Sequence, residues 1–224
     1  MNTRSEINEF THWWDMSGEW VEPPNQRRGG MSGVQRIELN GETLYVKRMT
    51  HHLFHSWRYP FGRPTIVREI QVLNEMKRAG INVPDIVYGK ALKIDGEWRA
   101  LLVTREMTGF CSIAEWYQRR KSAPCAPETH REMLRQVAQA FHRMHRIHRQ
   151  HGCCYVRHIF VKTDDTVEAG FLDLEKSRRR WRKHNAARHD FAQLEKHLEP
   201  IPVQDWLQVK AFYAQENQRR QLPA

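Results

Sequence analysis

The sequence predicts an α+β protein in two lobes, a strand-rich one over residues 1–108 and a mainly helical, truncated one over 109–224. Three observations carry that reading: two turn dipeptides set in β-type runs, a helix-period stretch between them, and a longer helix-period stretch that opens the second half. Val34–Leu39 and Thr43–Arg48 flank Asn40-Gly41, while Ile86–Ile94 and Trp98–Arg105 flank Asp95-Gly96. Both dipeptides suit the positive φ angles of a two-residue hairpin turn, so two antiparallel hairpins are expected. Between them Ile66, Ile70, Leu73 and Met76 recur at helical spacing over Thr65–Ala79, and Gly80 with Pro84 supplies the stop.

In the second half, Met133 or Leu134, Val137, Phe141, Met144 and Ile147 form an apolar stripe, which predicts a core helix from Glu128 to about Gln150. Ile159–Val161 and Ala169–Leu172 follow as a small hairpin around Asp164-Asp165. A last helix is expected near Ala187–Leu198, with Phe191, Leu194 and Leu198 on one face and Pro200 and Pro202 ending it. Asp190 would open that helix, as its cap or as a brace for the loop at His151. Residues 216–224 are expected to fray.

A chain of 224 residues with 40% hydrophobic content can bury a sizeable core. Charges interrupt the apolar residues well before the roughly 18 in a row that a spanning helix needs. Met1–Phe10 is polar and lacks the pattern of a cleaved secretory signal, so a cytoplasmic location is expected, with contact at the inner face of the membrane left open. Cys111, Cys125, Cys153 and Cys154 lack metal-type spacing and are read as reduced thiols. The formal charge of +10 gathers in Arg27-Arg28, Arg119–Lys121 and Lys176–Lys183. Its sign favours polyanions: nucleotide phosphates, an anionic glycolipid, an anionic membrane surface or nucleic acid.

Candidate chemistry lies at four places. Gly29-Gly30-Met31-Ser32-Gly33 precedes the strand at Val34, and a turn with few Cβ atoms lets backbone amides approach phosphate oxygens. Lys47 lies on a strand, on the face opposite Val46, and can reach bound phosphates if a carboxylate holds it. Glu69 on the following helix is the expected partner, and Glu75 the alternative. Asp173 follows an apolar strand, where its carboxylate can hold Mg²⁺ on phosphates. Glycine-rich turn, lysine strand, glutamate helix, further strands, helices, then a loop and a hairpin ending in aspartate is the order of a protein kinase.

These stretches resemble the lipopolysaccharide core sugar kinases, the WaaP and Kdo-kinase group. The likeness is most specific at Arg28–Val34, Tyr45–Arg48, Arg63–Glu69, His151–His158 and Phe171–Arg179. It implies a protein-kinase-like fold, ATP and Mg²⁺ as cofactors, and a sugar of the lipopolysaccharide core as acceptor. It further implies that Gly30, Ser32 and Gly33 line the phosphate loop, that Lys47 contacts the α and β phosphates and pairs with Glu69, and that Asp173 and His158 hold the metal. Cys153 stands where the family places its catalytic aspartate, and no carboxylate occurs between Glu132 and Asp164 to replace it by a shifted register. A thiol with a pKa of about 8.5 is mostly protonated at neutral pH and orients a hydroxyl poorly.

Two readings stay open. General-base assistance is worth about 10²- to 10⁴-fold, whereas phosphoryl transfer depends mainly on positioning and charge neutralisation, so a slow phosphotransferase survives the change. The other is a pseudokinase that binds ATP in a regulatory or stress-response role without turnover. A basic nucleic-acid-binding protein is a third and least favoured reading. His142, His145 and His148 recur every three residues and are expected on a solvated basic face rather than around a metal. The run Lys176–Lys183, with Trp181 inside it, suits a solvated surface or a phosphate-bearing lipid. Met49–Pro64, rich in histidine and aromatics, folds against the first lobe or rests on a membrane interface.

Overall fold

The computed structural model describes residues 3–27, 30–56 and 59–219. Arg28 and Gly29 of the glycine-rich stretch, Trp57 of the aromatic segment and the terminal residues 220–224 lie outside them. The chain divides into two compact units, Met1–Leu73 with Pro84–Met107 and Asn74–Val83 with Thr108–Ala224. The segment 74–83, placed by the sequence in the first lobe, belongs to the second unit.

The first unit opens with α1 (Arg4–Asp15), begun by a capping box in which Thr3 and Glu6 satisfy each other's backbone amides. β1 (Glu19–Arg27), β2 (Gly30–Leu39) and β3 (Glu42–Thr50) follow, then a two-stranded hairpin of β4 (Leu53–Ser56) and β5 (Tyr59–Pro64). α2 (Thr65–Arg78) begins here, and β6 (Ile86–Ile94) and β7 (Glu97–Arg105) complete an antiparallel sheet in the order β1-β2-β3-β7-β6. Asn40 and Gly41 have φ of 53° and 79°, and Asp95 and Gly96 have 51° and 83°, so both hairpins turn where the dipeptides predict.

Strand alternation gives this sheet two buried faces. Ile37, Leu44, Val46, Leu101 and Val103 pack with Phe10, Trp13 and Trp14 of α1. Arg48 locks α1 in place: its guanidinium donates to the Trp14 carbonyl at 2.9 Å and to the Met16 carbonyl at the helix end. The other face receives α2. Gly89 on β6 makes room for it, since a Cβ there would lie 2.8 Å from Cδ1 of Ile70. The histidine- and aromatic-rich segment, expected either on the first lobe or at a membrane interface, supplies the β4–β5 hairpin, where Phe54 stacks under the guanidinium of Arg68 at 5.0 Å.

The second unit contains β8 (Cys111–Ser112), α3 (Ile113–Arg120), α4 (Pro127–Arg146), β9 (Arg149–Gln150), a single 3₁₀ turn at Val156–His158, β10 (Ile159–Lys162), β11 (Glu168–Phe171), β12 (Arg178–Arg179), α5 (Lys183–Glu195) and α6 (Val203–Arg219). β11, β10 and β8 form one small sheet, and β12 and β9 another. α4 ends at Arg146, not near Gln150, because His148 takes a φ of 61° and turns the chain into β9. Met133, Leu134, Val137, Phe141 and Met144 are buried, as their spacing predicts.

Two expectations fail at the C-terminal end. α5 starts at Lys183, inside the basic run, so Asp190 sits mid-helix and cannot be its N-cap. Residues 216–219 do not fray: they belong to α6, whose Trp206, Val209 and Phe212 are buried. Pro202 therefore precedes a helix as well as following one, and its carbonyl accepts from the Trp206 N–H at 3.1 Å.

Candidate functional site

The first group of side chains is built on β3 and α2. Val46 is fully buried on the α1 side of the sheet, so Lys47 emerges on the α2 side, where its Nζ lies 2.8 Å from Oε2 of Glu69. Side-chain exposures of 17% and 10% make this a largely desolvated pair, whose mutual attraction is screened far less than that of a surface salt bridge. Glu75, the alternative partner, is engaged elsewhere. Within the second unit its Oε2 accepts from Nε and Nη2 of Arg149 at 2.9 and 2.6 Å, and Arg179 donates to its Oε1. Burial alone would raise the Glu75 pKa, but these two arginines hold it below the ordinary carboxylate value.

Gly30, Ser32 and Gly33 lie within β2, which begins at Gly30 rather than after the glycines. A Cβ on Gly30 would sit 2.6 Å from the Thr50 carbonyl, and one on Gly33 would sit 2.8 Å from the Trp20 ring. Gly30 is required for packing inside the sheet, whereas a side chain at Gly33 would have to displace the half-exposed Trp20 ring.

The second group is the loop His151–His158 with Asp173, all in the second unit. Asp190 organises its start. This wholly buried carboxylate accepts from the His151 N–H at 2.7 Å and the Gly152 N–H at 3.3 Å, and lies 3.1 Å from Nε2 of His145. Burial would raise its pKa, yet the hydrogen bond from His145 and the loop amides bring it below the ordinary value. The structure thus selects the bracing role for Asp190. Gln193 of α5 accepts from the Cys154 N–H at 3.0 Å.

Gly152 has a φ of 83°, and a Cβ there would fall 2.2 Å from the Lys176 carbonyl, so the loop closes on the following segment. His151 is fully buried and stacks 6.0 Å from His158 with rings 7° from parallel. Burial lowers its pKa to about 4, so the ring is neutral, with Nδ1 accepting from the Cys153 N–H at 3.3 Å.

His158 Nδ1 lies 2.7 Å from the Cys153 carbonyl, which fixes the proton on that nitrogen and leaves a lone pair on Nε2. That Nε2 accepts from Arg157 Nε at 3.0 Å and stands 3.6 Å from Oδ2 of Asp173. Asp173, 39% exposed at its side chain, has a φ of 54°, a conformation aspartate tolerates better than most residues. Cys153 is 6% exposed, and its thiol pKa is raised first by burial and then by the Asp173 charge. At neutral pH it is a protonated thiol.

Among the described residues no three His, Cys, Asp or Glu side chains gather to hold a metal by themselves. Mg²⁺ commonly takes one or two carboxylates plus phosphate oxygens and water, so an exposed Asp173 fits such an ion brought with a nucleotide. The His158 imidazole is a softer ligand than Mg²⁺ prefers and suits an assisting place beside Asp173.

Elsewhere the structure corrects the sequence. His142 and His145 are buried, not solvated: His145 Nδ1 reaches the Tyr213 hydroxyl at 3.1 Å and its Nε2 reaches Asp190. His148 alone of the three is exposed. The basic run is not wholly surface either, since Ser177 is buried with its hydroxyl donating to the Gln150 carbonyl at 2.7 Å. Trp181 is 92% exposed. The arginine pair on Glu75 and the loop contact of Gln193 had no local sequence signal, because their partners lie 74, 104 and 39 positions away. The four cysteines are unpaired thiols, and among the described residues no helix is long and apolar enough to cross a membrane.

The family model described as the lipopolysaccharide kinase (Kdo/WaaP) family matches residues 11–213. The chain belongs to this family. It is 64% identical over 213 residues to Protein InaA of Escherichia coli strain K12, covering 95% of this chain and 99% of that protein. A solved structure described as WaaP in complex with acyl carrier protein superposes with a TM-score of 0.69 at 20% identity, covering 92% of this chain and 82% of that one. At that identity the likeness concerns the fold, and it makes this lipopolysaccharide kinase family member kinase-like in architecture.

Proposed function

We propose that this member of the lipopolysaccharide kinase family binds ATP with Mg²⁺ and transfers the γ-phosphoryl group slowly to a hydroxyl of a lipopolysaccharide core sugar. The Lys47–Glu69 pair is the observation that carries the reading: a desolvated lysine held by a helix glutamate at 2.8 Å is an arrangement that positions nucleotide phosphates. Asp173, assisted by His158, is the metal-holding group, and Mg²⁺ when bound supplies neutralisation of phosphate charge. The backbone around Gly30, Ser32 and Gly33 lines the phosphate loop. Use of ATP places the reaction in the cytoplasm, and an acceptor embedded in a membrane would bring the protein to its inner face.

Cys153 limits the rate rather than abolishing transfer. Its protonated thiol cannot take the acceptor's proton as a carboxylate would, so catalysis rests on positioning and charge. The same thiol favours a second reading, an ATP-binding pseudokinase without turnover.

One experiment separates them. ATP with Mg²⁺ is expected to raise the melting temperature of the wild type and not of Lys47→Ala, and labelled phosphate from γ-labelled ATP should appear on extracted lipopolysaccharide core above the level given by Asp173→Asn. Nucleotide binding lost in both variants, with no transfer above Asp173→Asn, selects the pseudokinase. An ATP-induced shift of the same size in all three proteins overturns both readings. Cys153→Asp should raise transfer by up to about 10²-fold, the lower end of general-base assistance, because the neighbouring Asp173 charge opposes a second carboxylate there.

A further inference from the structure

Beside the loop 151–158 the second unit has a groove of about 640 Å³. One wall is a single face of α5 and the residues just beyond it. Asn185, Arg188, His189, Gln193 and Lys196 recur at helical spacings of three and four, so they form one stripe, while Ala186, Ala187, Asp190 and Leu194 point into the core. Arg180 closes one side and Tyr155 and His197 another, their rings 5.5 Å apart. Three permanent cations, two imidazoles and a phenol thus face one space, and no aspartate or glutamate lines it among the described residues.

The permanent cations of the stripe, Arg188 and Lys196, are exposed, and no lining carboxylate neutralises them, so the groove keeps a positive field open to an anion. Asp190, the nearest carboxylate on the helix, is buried; it meets the lining His189 at Nδ1, 3.1 Å away, and is otherwise committed to the loop amides and His145, so it reaches none of the three permanent cations. The Arg180 guanidinium is anchored, its Nε donating to the Gln150 side chain while its backbone N–H donates to the His148 carbonyl at 2.7 Å. The groove also adjoins the loop directly: Gln193 holds the Cys154 amide, and the Tyr155 ring meets His158 edge-on at 5.7 Å. A pocket with several donors, one aromatic flank and no acceptor carboxylate suits a sugar carrying an acidic group, the ring stacking on Tyr155 and the anion on Arg188 and Lys196.

We propose that this groove is a binding subsite for the anionic substituent, phosphate ester or carboxylate, of an acidic sugar. It deepens the sugar-phosphotransfer reading by giving the acceptor's charge a place, but its test needs no nucleotide. Wild type and the double variant Arg188→Ala/Lys196→Ala would be titrated, without ATP, with glucose 6-phosphate, glucuronate and glucose, following ¹⁵N–¹H shifts at low salt. The two substituted side chains are exposed, and equal melting temperatures would confirm that the variant is folded.

The expected result is saturable binding of one or both acidic sugars, shifts concentrated at residues 155 and 185–197, and an affinity at least about tenfold weaker in the variant. The acidic sugar that binds more tightly names the group as phosphate or carboxylate. No saturable binding, equal affinity in wild type and variant, or glucose binding as well as the acidic sugars would overturn the proposal. The Lys47→Ala protein serves as the arm that separates the two ideas. In that protein, retained acidic-sugar binding with lost nucleotide binding keeps both, whereas a wild type that binds nucleotide but no acidic sugar loses the subsite and leaves the phosphotransfer reading standing.

Discussion

Replacing Asp190 with alanine removes the acceptor for two buried backbone amides, those of His151 and Gly152, and the partner of His145, whose side chain is 1% exposed. Each buried donor left unsatisfied costs about 1–3 kcal/mol, and three of them, the two amides and the His145 ring N–H, lose this one acceptor. These effects share one carboxylate and do not add fully, so a loss of about 3–5 kcal/mol is expected for the whole substitution. In a domain of this size that lowers the melting temperature by roughly 10 °C or more. The assay is urea unfolding at pH 7.5 followed by tryptophan fluorescence, with the exposed Asp164→Ala as a control expected within about 0.5 kcal/mol of wild type. If Asp190→Ala costs no more than Asp164→Ala, the carboxylate does not brace the loop and the account of residues 151–154 fails.

Acidification should weaken the second unit from about pH 6.5 downward. His151 has its pKa depressed to about 4, so its contribution is complete above the unfolded value near 6.5 and is lost as the pH falls toward 4, and Asp190, also depressed, adds a loss below its unfolded value near 3.9. Urea midpoints at pH 7.5, 6 and 5 should fall in that order, and a midpoint that stays level or rises on acidification contradicts the buried neutral ring. Glu75→Ala strands the mostly buried Arg149 and should cost about 1–3 kcal/mol in the same assay, with Glu75→Gln intermediate. Gly152→Ala should destabilise clearly more than Gly41→Ala. Both have positive φ, but a Cβ at Gly41 meets nothing within 4 Å while one at Gly152 meets the Lys176 carbonyl, so equal costs would show that the loop does not close on that segment.

Features set by local chemistry were legible in the sequence. Asn40-Gly41 and Asp95-Gly96 specify their hairpins through positive φ alone, and the α4 stripe specifies its buried face through spacing alone. Strand alternation puts Lys47 opposite Val46, and Glu69 rather than Glu75 is the carboxylate beside it. α1, α3 and α6 were not foreseen. α3 is only eight residues and is stabilised by its Ser112–Glu115 capping box, and Pro202 was read as an ending rather than as a residue preceding a helix. β1 contains Pro23 and Pro24, which argue against a strand, and it survives at the edge of the sheet, where missing donors are tolerated. His145 was misread because its partners Asp190 and Tyr213 are 45 and 68 residues away, beyond any periodic pattern.

The amides of His151, Gly152 and Cys154 find their acceptors on α5, 38 or 39 residues further along the chain. A nascent polypeptide that stops short of residue 190 therefore carries every letter of the loop and lacks the acceptors for these three amides. The geometry around His158 and Asp173 is consequently acquired late, once that distant helix has docked. Truncated fragments holding both residues are for this reason poor stand-ins for the whole protein.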